Sequence, residues 1–480
     1  MKTRETPLSQ QSDPPKSTRM TGGMLLGLII LISASILLLK FSLPKGRRPP
    51  RGGATPAVSP TPPRSGDQTS FCRGGSTVGC QSLGALWMSG KATCRSNGEG
   101  YDVSSCVAVK GKGELVKPAE RDTRWSQARC NDGTPFAFDV ELSPSRGSDW
   151  VIYLKGGGFC DDEAFDCRER SREKTAIPLT TTPPRPDKTV TAFIKNDGIF
   201  SRNRSANPTF SDANFVYAIY CSSDAWSGTA TERRPTSADS KGWYFSGKPN
   251  VEAMIESLVG LYGLTDGSKT KILFAGGSGG GHGVGVNIDT FFTYVPNTAN
   301  SGRLFLLNDA GSQIDFDDPS YRPGDANVPM RDLWKKAYAF WGSAGNRRCE
   351  EAFKKEGKDS SACSFAPANY QFIQSPAPRG YGVPVLIQES SIDGDFLRWH
   401  NIDARNPKDS AVLGRYRDLT LASFPDARWI FSGGDHPYHT ILDKSGTDGW
   451  DMGPSGKTFK EVLMRFWQGS SGERVIFGNP

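Results

Sequence analysis

One stretch limits the fold of this 480-residue chain more than any other: Lys271-Ile-Leu-Phe-Ala-Gly-Gly-Ser-Gly-Gly-Gly-His-Gly-Val-Gly285. Four apolar residues, Ile272 to Ala275, run directly into a glycine cluster with Ser278 at its centre. The pattern Gly276-x-Ser278-x-Gly280 predicts a strand that turns sharply into a helix, with the serine held strained at the turn. Glycine is required two residues before and after the serine because a Cβ there would collide across the turn. The chain has 54 glycines, so the pattern alone also fits an ordinary glycine loop. A phosphate-cradling loop is disfavoured: no Gly-Lys-Ser/Thr follows, and the glycines never complete Gly-x-Gly-x-x-Gly. The nucleophile reading therefore needs partners elsewhere in the chain.

Further apolar runs supply the setting. Trp150 to Leu154, Phe215 to Tyr220, Leu304 to Leu307, Val383 to Gln388 and Trp429 to Ser432 are short and bounded by turn residues, as buried strands are. Helical patterns lie between them at Asn250 to Tyr262, Gly283 to Tyr294 and Met330 to Trp341. Alternation of this kind predicts an α/β fold: a mainly parallel sheet with helices on both faces, beginning near Lys117. Functional residues in such folds follow the carboxyl ends of strands.

The part before this domain reads differently. Met24 to Leu39 is sixteen uncharged, almost wholly aliphatic residues, and with Gly22-Gly23 it approaches a bilayer-spanning length. The expected organisation is an N-terminal tail (1–21), a transmembrane signal-anchor (22–39), a stalk with seven prolines between Pro44 and Gly66 (40–70), a Cys-rich extension (71–116) and the main domain (117–480). Basic residues flank the apolar run on both sides, so charge does not set its orientation. A cleaved signal, giving a secreted protein, is the alternative. The formal charge of +7 arises entirely in residues 1–70, where ten Lys/Arg face three Asp/Glu, leaving 48 of each sign in residues 71–480. A neutral body offers no polyanion-binding surface, which argues against nucleic acid as a partner. All ten cysteines follow the apolar run and none forms Cys-x-x-Cys. An even set on one side of a membrane segment predicts disulfides, and places the body in the secretory lumen or outside the cell.

The partners that a serine nucleophile needs do follow separate strands. For the acid, Asp393 is the first carboxylate after the Val383 run and Asp395 the second; Asp309, after the Leu304 run, is a rival. Helix capping is the bland role for any of them. Four histidines are available. His282 sits one turn into the helix after Ser278 and points along it, as a packing residue. His400 lies on an expected helix. His436 and His439 follow the sixth run, and His439 is preferred as base because it leads straight into Thr-Ile-Leu. Lys155-Gly-Gly-Gly-Phe-Cys160 follows the first run, where backbone N–H groups of Gly157 and Gly158, with that of Gly279, can converge on an oxyanion. The order Ser, acid, His is that of α/β-hydrolases.

Four motifs carry a specific resemblance. Cys130-Asn-Asp-Gly-Thr-Pro, Tyr153-Leu-Lys-Gly-Gly-Gly-Phe-Cys160, Tyr220-Cys-Ser-Ser-Asp-Ala-Trp-Ser-Gly228 and Phe274-Ala-Gly-Gly-Ser-Gly-Gly280 resemble the pectin acetylesterase/Notum carboxylesterases, from about Cys130 to Leu442. The resemblance implies an α/β-hydrolase fold, a Ser278–Asp393–His439 triad, oxyanion donors at Gly157, Gly158 and Gly279, and no metal or cofactor. It also implies Cys160–Cys167 and Cys130–Cys221 pairs; proximity adds Cys349–Cys363. Its two branches imply different substrates: O-acetyl groups on a polysaccharide, ranked first, or a fatty acyl group on a protein. A member that binds a glycan or lipid without catalysis is a further alternative. Phe159 stands where the plant enzymes have tryptophan.

Overall fold

The computed structural model describes residues 71–162, 165–168, 194, 196–318, 329–390, 393–400, 402, 403, 406, 409–424, 429–433, 439–442, 458–472 and 474–476. The expected tail, signal-anchor and stalk, and His436, lie outside these residues. No helix among the described residues is long and apolar enough to cross a membrane.

The body is a mixed α/β fold around one nine-stranded sheet. Its strands are β1 (Gly113–Val116), β2 (Phe138–Glu141), β3 (Asp149–Leu154), β4 (Asn214–Ala218), β5 (Lys271–Gly277), β6 (Leu304–Asp309), β7 (Val385–Ser390), β8 (Trp429–Gly433) and β9 (Arg474–Ile476), in the spatial order β1-β2-β4-β3-β5-β6-β7-β8-β9. From β4 to β9 every pairing is parallel, while β2 runs antiparallel to both its neighbours. Strand β1 comes from within the segment read as the Cys-rich extension, so the sheet starts before Lys117.

The strands read as unbroken apolar runs because both faces of the sheet are covered. Alternate residues divide between two cores. Ile272 and Phe274, with Ile152, Val216 and Leu306, pack beneath helix α1 (Gly247–Leu261), which contributes Val251, Met254, Ile255 and Leu258. Leu273 and Ala275, with Tyr153, Phe215 and Leu307, face the opposite way. There they meet Phe459, Val462, Leu463 and Phe466 of the C-terminal helix Phe459–Trp467. Each large side chain buried this way contributes about 1.5–3 kcal/mol, so the two cores clamp β5 at the centre of the sheet.

The expected helix Gly283 to Tyr294 is in fact two, α2 (Gly279–Val286) and a helix Ile288–Tyr294, broken at Asn287. The Asn287 side chain donates to the carbonyls of Trp226 and Gly283 (both 2.9 Å), tying the break to a neighbouring loop. Helix α3 (Met330–Trp341) buries Met330, Leu333, Trp334, Ala337, Tyr338 and Trp341, one stripe at helical spacing. It stops at Gly342, whose φ of 61° is the left-handed conformation that glycine tolerates.

All ten cysteines are paired. Cys130–Cys221, Cys160–Cys167 and Cys349–Cys363 form as expected, and the extension is stapled by Cys72–Cys94 and Cys80–Cys106. That extension packs on the end of α1: Trp87 Nε1 donates to the Leu261 carbonyl (3.3 Å), and Arg95 to that of Val259 (3.3 Å).

Candidate active site

The site grows from the end of β5. Ser278 stands between β5 and α2 with φ 54° and ψ −126°, a conformation that costs a non-glycine residue about 1–3 kcal/mol. The strain is held by what surrounds it. The Ser278 N–H donates to the Asp309 carbonyl (2.8 Å), and its own carbonyl accepts from the N–H of His282 (3.2 Å). A Cβ on Gly276 would run into the Gly280 carbonyl, and one on Gly280 into that of Leu154. These two glycines allow β3, β5 and α2 to approach backbone to backbone.

Across the cleft, His439 Nδ1 lies 2.6 Å from Asp393 Oδ2. A carboxylate only accepts, so Nδ1 carries a hydrogen, and in the neutral imidazole Nε2 keeps its lone pair. Asp393 also caps α4 (Gly394–Trp399), because its Oδ1 accepts from the N–H groups of Asp395 and Phe396 (both 2.9 Å). One oxygen orients the carboxyl, and the other meets the imidazole. Asp395 is not an equivalent partner: its Oδ2 lies 3.2 Å from His439 Nε2, yet out of alignment for a hydrogen bond. Asp309, the rival acid, is fully buried and accepts from the N–H groups of Ile441 (3.0 Å) and Leu442 (3.0 Å). It therefore anchors the segment behind His439 to the strand beside the serine, as a positioning residue.

Burial lowers the basicity of His439, but the hydrogen bond and charge of Asp393, with the charges of Asp395 and Glu389, outweigh it and raise the pKa to about 9. A base must be neutral to accept a proton. The group is protonated below its raised pKa, so kcat/KM for an ester is expected to climb with pH through about 9. Asp395→Asn removes one anion from beside the ring and should move that limb to lower pH, which a pH–rate profile of both proteins reads directly.

Ser278, His439, Asp393, Gly158 and Gly279 line one cleft, whose cavity volume is about 50 Å3. Its floor carries Ser312, Gln313, Glu389 and Asp395, and its wall is apolar, with Phe159, Ile314, Phe316, Met330, Phe396 and Trp399. Gly157 does not reach the cleft surface. The Gly158 loop runs close to Gly279: its carbonyl oxygen lies 3.5 Å and its N 3.9 Å from where a Gly279 Cβ would be. The Tyr220-to-Gly228 motif is the scaffold for that loop. Tyr220 Oη donates to the Gly158 carbonyl (2.8 Å) and accepts from the Ala225 N–H (2.7 Å), while Trp226 Nε1 donates to the Lys155 carbonyl (3.0 Å). Ser223, Ala225 and Trp226 all have positive φ. The turn is held by Asp224, which accepts from the Ser222 hydroxyl (2.6 Å) and the N–H groups of Trp226 (3.0 Å) and Gly247 (2.7 Å).

His282 stacks on Trp334 (ring centroids 4.9 Å apart), with Nε2 3.2 Å from Tyr338 Oη, and burial pushes its pKa down to about 3. It is a packing residue. His400 is buried against Phe396 at the edge of the cleft. Glu389 was invisible to sequence reasoning because it directly follows an apolar run and looks like a strand end. Among the described residues no group of three or more His, Cys, Asp or Glu is arranged to hold a metal ion.

The pectinacetylesterase profile matches residues 114–377, more than half of the chain. The chain belongs to the pectinacetylesterase family. Within this family it is 30% identical over 279 residues to the palmitoleoyl-protein carboxylesterase notum1a of Danio rerio, covering 56% of this chain and 50% of that protein. It is 27% identical over 360 residues to the palmitoleoyl-protein carboxylesterase NOTUM of Schmidtea mediterranea, covering 72% and 61%. The chain thus spans about half the length of the first of these relatives. The crystal structure of the Wnt deacylase Notum from Drosophila superposes with a TM-score of 0.59 over 73% of this pectinacetylesterase-family chain and 93% of the other, at 23% identity. At that identity the likeness is one of fold.

Proposed function

We propose that this protein is a serine carboxylesterase acting on a short O-acyl ester, an O-acetyl group of a glycan, with Ser278 as nucleophile, His439 as base and Asp393 as acid. The observation that carries the reading is the 2.6 Å contact of His439 Nδ1 with Asp393, in the cleft that the strained Ser278 also lines. In the first step Nε2 of His439 takes the hydroxyl proton as Ser278 Oγ bonds to the ester carbonyl carbon. The N–H groups of Gly158 and Gly279 receive the resulting oxyanion, a stabilisation whose loss costs about 10²–10³ in rate per donor. Collapse breaks the ester C–O bond, and the imidazolium returns its proton to the departing alcohol. Water then repeats the sequence on the acyl-enzyme, releasing the acid and restoring Ser278. Asp393 holds the imidazole in the required tautomer throughout.

The short acyl group is supported by the cleft's volume of about 50 Å3, room for a few waters at about 10–15 Å3 each. A second reading, removal of a fatty acyl group from a protein, is favoured by the apolar lining of Phe159, Ile314, Phe316, Met330 and Trp399 and by the relatives, which are palmitoleoyl-protein carboxylesterases. Turnover of p-nitrophenyl esters from acetate to palmitate separates the two. The acetyl reading expects kcat/KM to fall steadily beyond butyrate, and a maximum at octanoate or longer would replace it with the fatty-acyl reading. Membrane attachment through residues 22–39, and a location of the body in the lumen or outside the cell, are part of this proposal. They rest on the apolar run and on cysteine use. Recovery of native protein lacking residues 1–45 would refute the anchor.

A further inference from the structure

We propose that Glu389 is a specificity-determining residue, whose carboxyl hydrogen-bonds a hydroxyl next to the ester and so selects an acetylated polyol over the ester of an apolar alcohol. This rests on the esterase reading above, and names what that site recognises.

Glu389 lies near the end of β7 and is only 5% exposed, yet it lines the same cleft as Ser278 and His439. Ser312 and Tyr416 lie within hydrogen-bond reach of its carboxyl. Its Oε2, however, is buried and has no partner among the described residues. Buried polar atoms are nearly always satisfied, and among the described residues of this cleft the two without a partner are Glu389 Oε2 and His439 Nε2, the atom that meets the reacting serine in the proposed mechanism; Oε2 is left for a polar atom of a ligand. The cleft offers it the larger open space; on its other side is a void of about 10 Å3, about the size of one water, lined by Ile387, Leu421, Phe424 and Ile430 with Arg417 and Thr420.

The pKa of the carboxyl is pushed up to about 8. Burial does most of this, the charge of Asp393 adds to it, and His439 and Ser312 oppose it more weakly. A protonated carboxyl both donates and accepts, which matches a hydroxyl group in either sense. A site built to hydrogen-bond a substrate hydroxyl discriminates strongly against an analogue lacking it.

The test compares methyl 2-O-acetyl-glucopyranoside with cyclohexyl acetate, a ring of similar size without hydroxyls, on wild type, Glu389→Gln and Glu389→Met. Wild type is expected to favour the sugar acetate by about 100-fold or more in kcat/KM. Glu389→Met should raise KM for the sugar and bring the ratio of the two kcat/KM values close to one, whatever change both substrates share through His439. Glu389→Gln, which keeps a donor and an acceptor, should retain most of the preference. Equal losses on both substrates, or no preference in wild type, overturn the inference. Should Glu389→Met fail to fold, the wild-type ratio and its retention in Glu389→Gln still decide. Protein whose Ser278 is labelled by a fluorophosphonate but which hydrolyses neither acetate overturns the inference and leaves the serine-hydrolase reading standing. Absence of labelling in folded protein removes that reading itself.

Discussion

Ser278→Ala is expected to lower kcat for p-nitrophenyl acetate by about 10⁶, to the residual level that binding and backbone donors alone provide. The loss is large because no other group can form the acyl-enzyme. The hydroxyl of Ser312 also lines the cleft, but it is engaged with the Glu389 carboxyl, whereas the imidazole of His439 is paired with Asp393. The variant keeps a Cβ at φ 54°, so the strained turn, its bond to the Asp309 carbonyl and the packing of Gly276 and Gly280 are unchanged. Thermal unfolding should therefore match wild type while fluorophosphonate labelling disappears. Retained turnover in a folded variant would reject Ser278 as the nucleophile.

The second large effect belongs to Asp393→Asn, for which kcat is expected to fall by about 10⁴. The wild-type carboxylate accepts from Nδ1 through Oδ2 while its Oδ1 caps α4. Asparagine can keep the cap with its carbonyl oxygen, but it turns an N–H₂ toward Nδ1. The imidazole then places its hydrogen on Nε2, the wrong nitrogen to accept from serine. Removing the anion also removes the largest influence holding the His439 pKa up, so the residual activity should titrate at lower pH than wild type. Single-turnover labelling rates across pH check both points. A loss below tenfold would shift the role of acid to Asp395, which already sits 3.2 Å from Nε2.

Much of the architecture is legible in the chain because the physics involved is local. Short apolar runs bounded by turn residues coincide with β3, β5 and β6 to within two residues, since strands buried on both faces have no polar positions to disguise them. The apolar stripe of α3 matches Met330 to Trp341 at both ends, with Gly342 as its stop. Where the reading runs past the element, a long-range contact is responsible. Strand β4 ends at Ala218 rather than Tyr220, as the chain leaves the sheet for the Cys130–Cys221 bond and the Tyr220–Gly158 contact.

By itself the sequence determined that a buried strand runs into a glycine-rich turn carrying Ser278. Glycines at 276 and 280 permit the close backbone approach of a strained serine, as they do an ordinary glycine loop, and that information lies within a few residues. It also nominated carboxylates and histidines after the right strands, because chain order and strand ends can be read from pattern alone. Only the tertiary structure told the carboxylates apart. Asp393 and Asp395 differ by two residues, and it is the start of α4 that aims the first at Nδ1 and leaves the second misaligned beside Nε2. Asp309 is drawn away from the imidazole by two backbone N–H groups 132 and 133 residues further on. The unpartnered oxygen of Glu389 exists only once β7, α4 and the segment carrying His439 have closed around the cleft. Side-chain direction and desolvation are set by neighbours distant in sequence, and no local pattern encodes them.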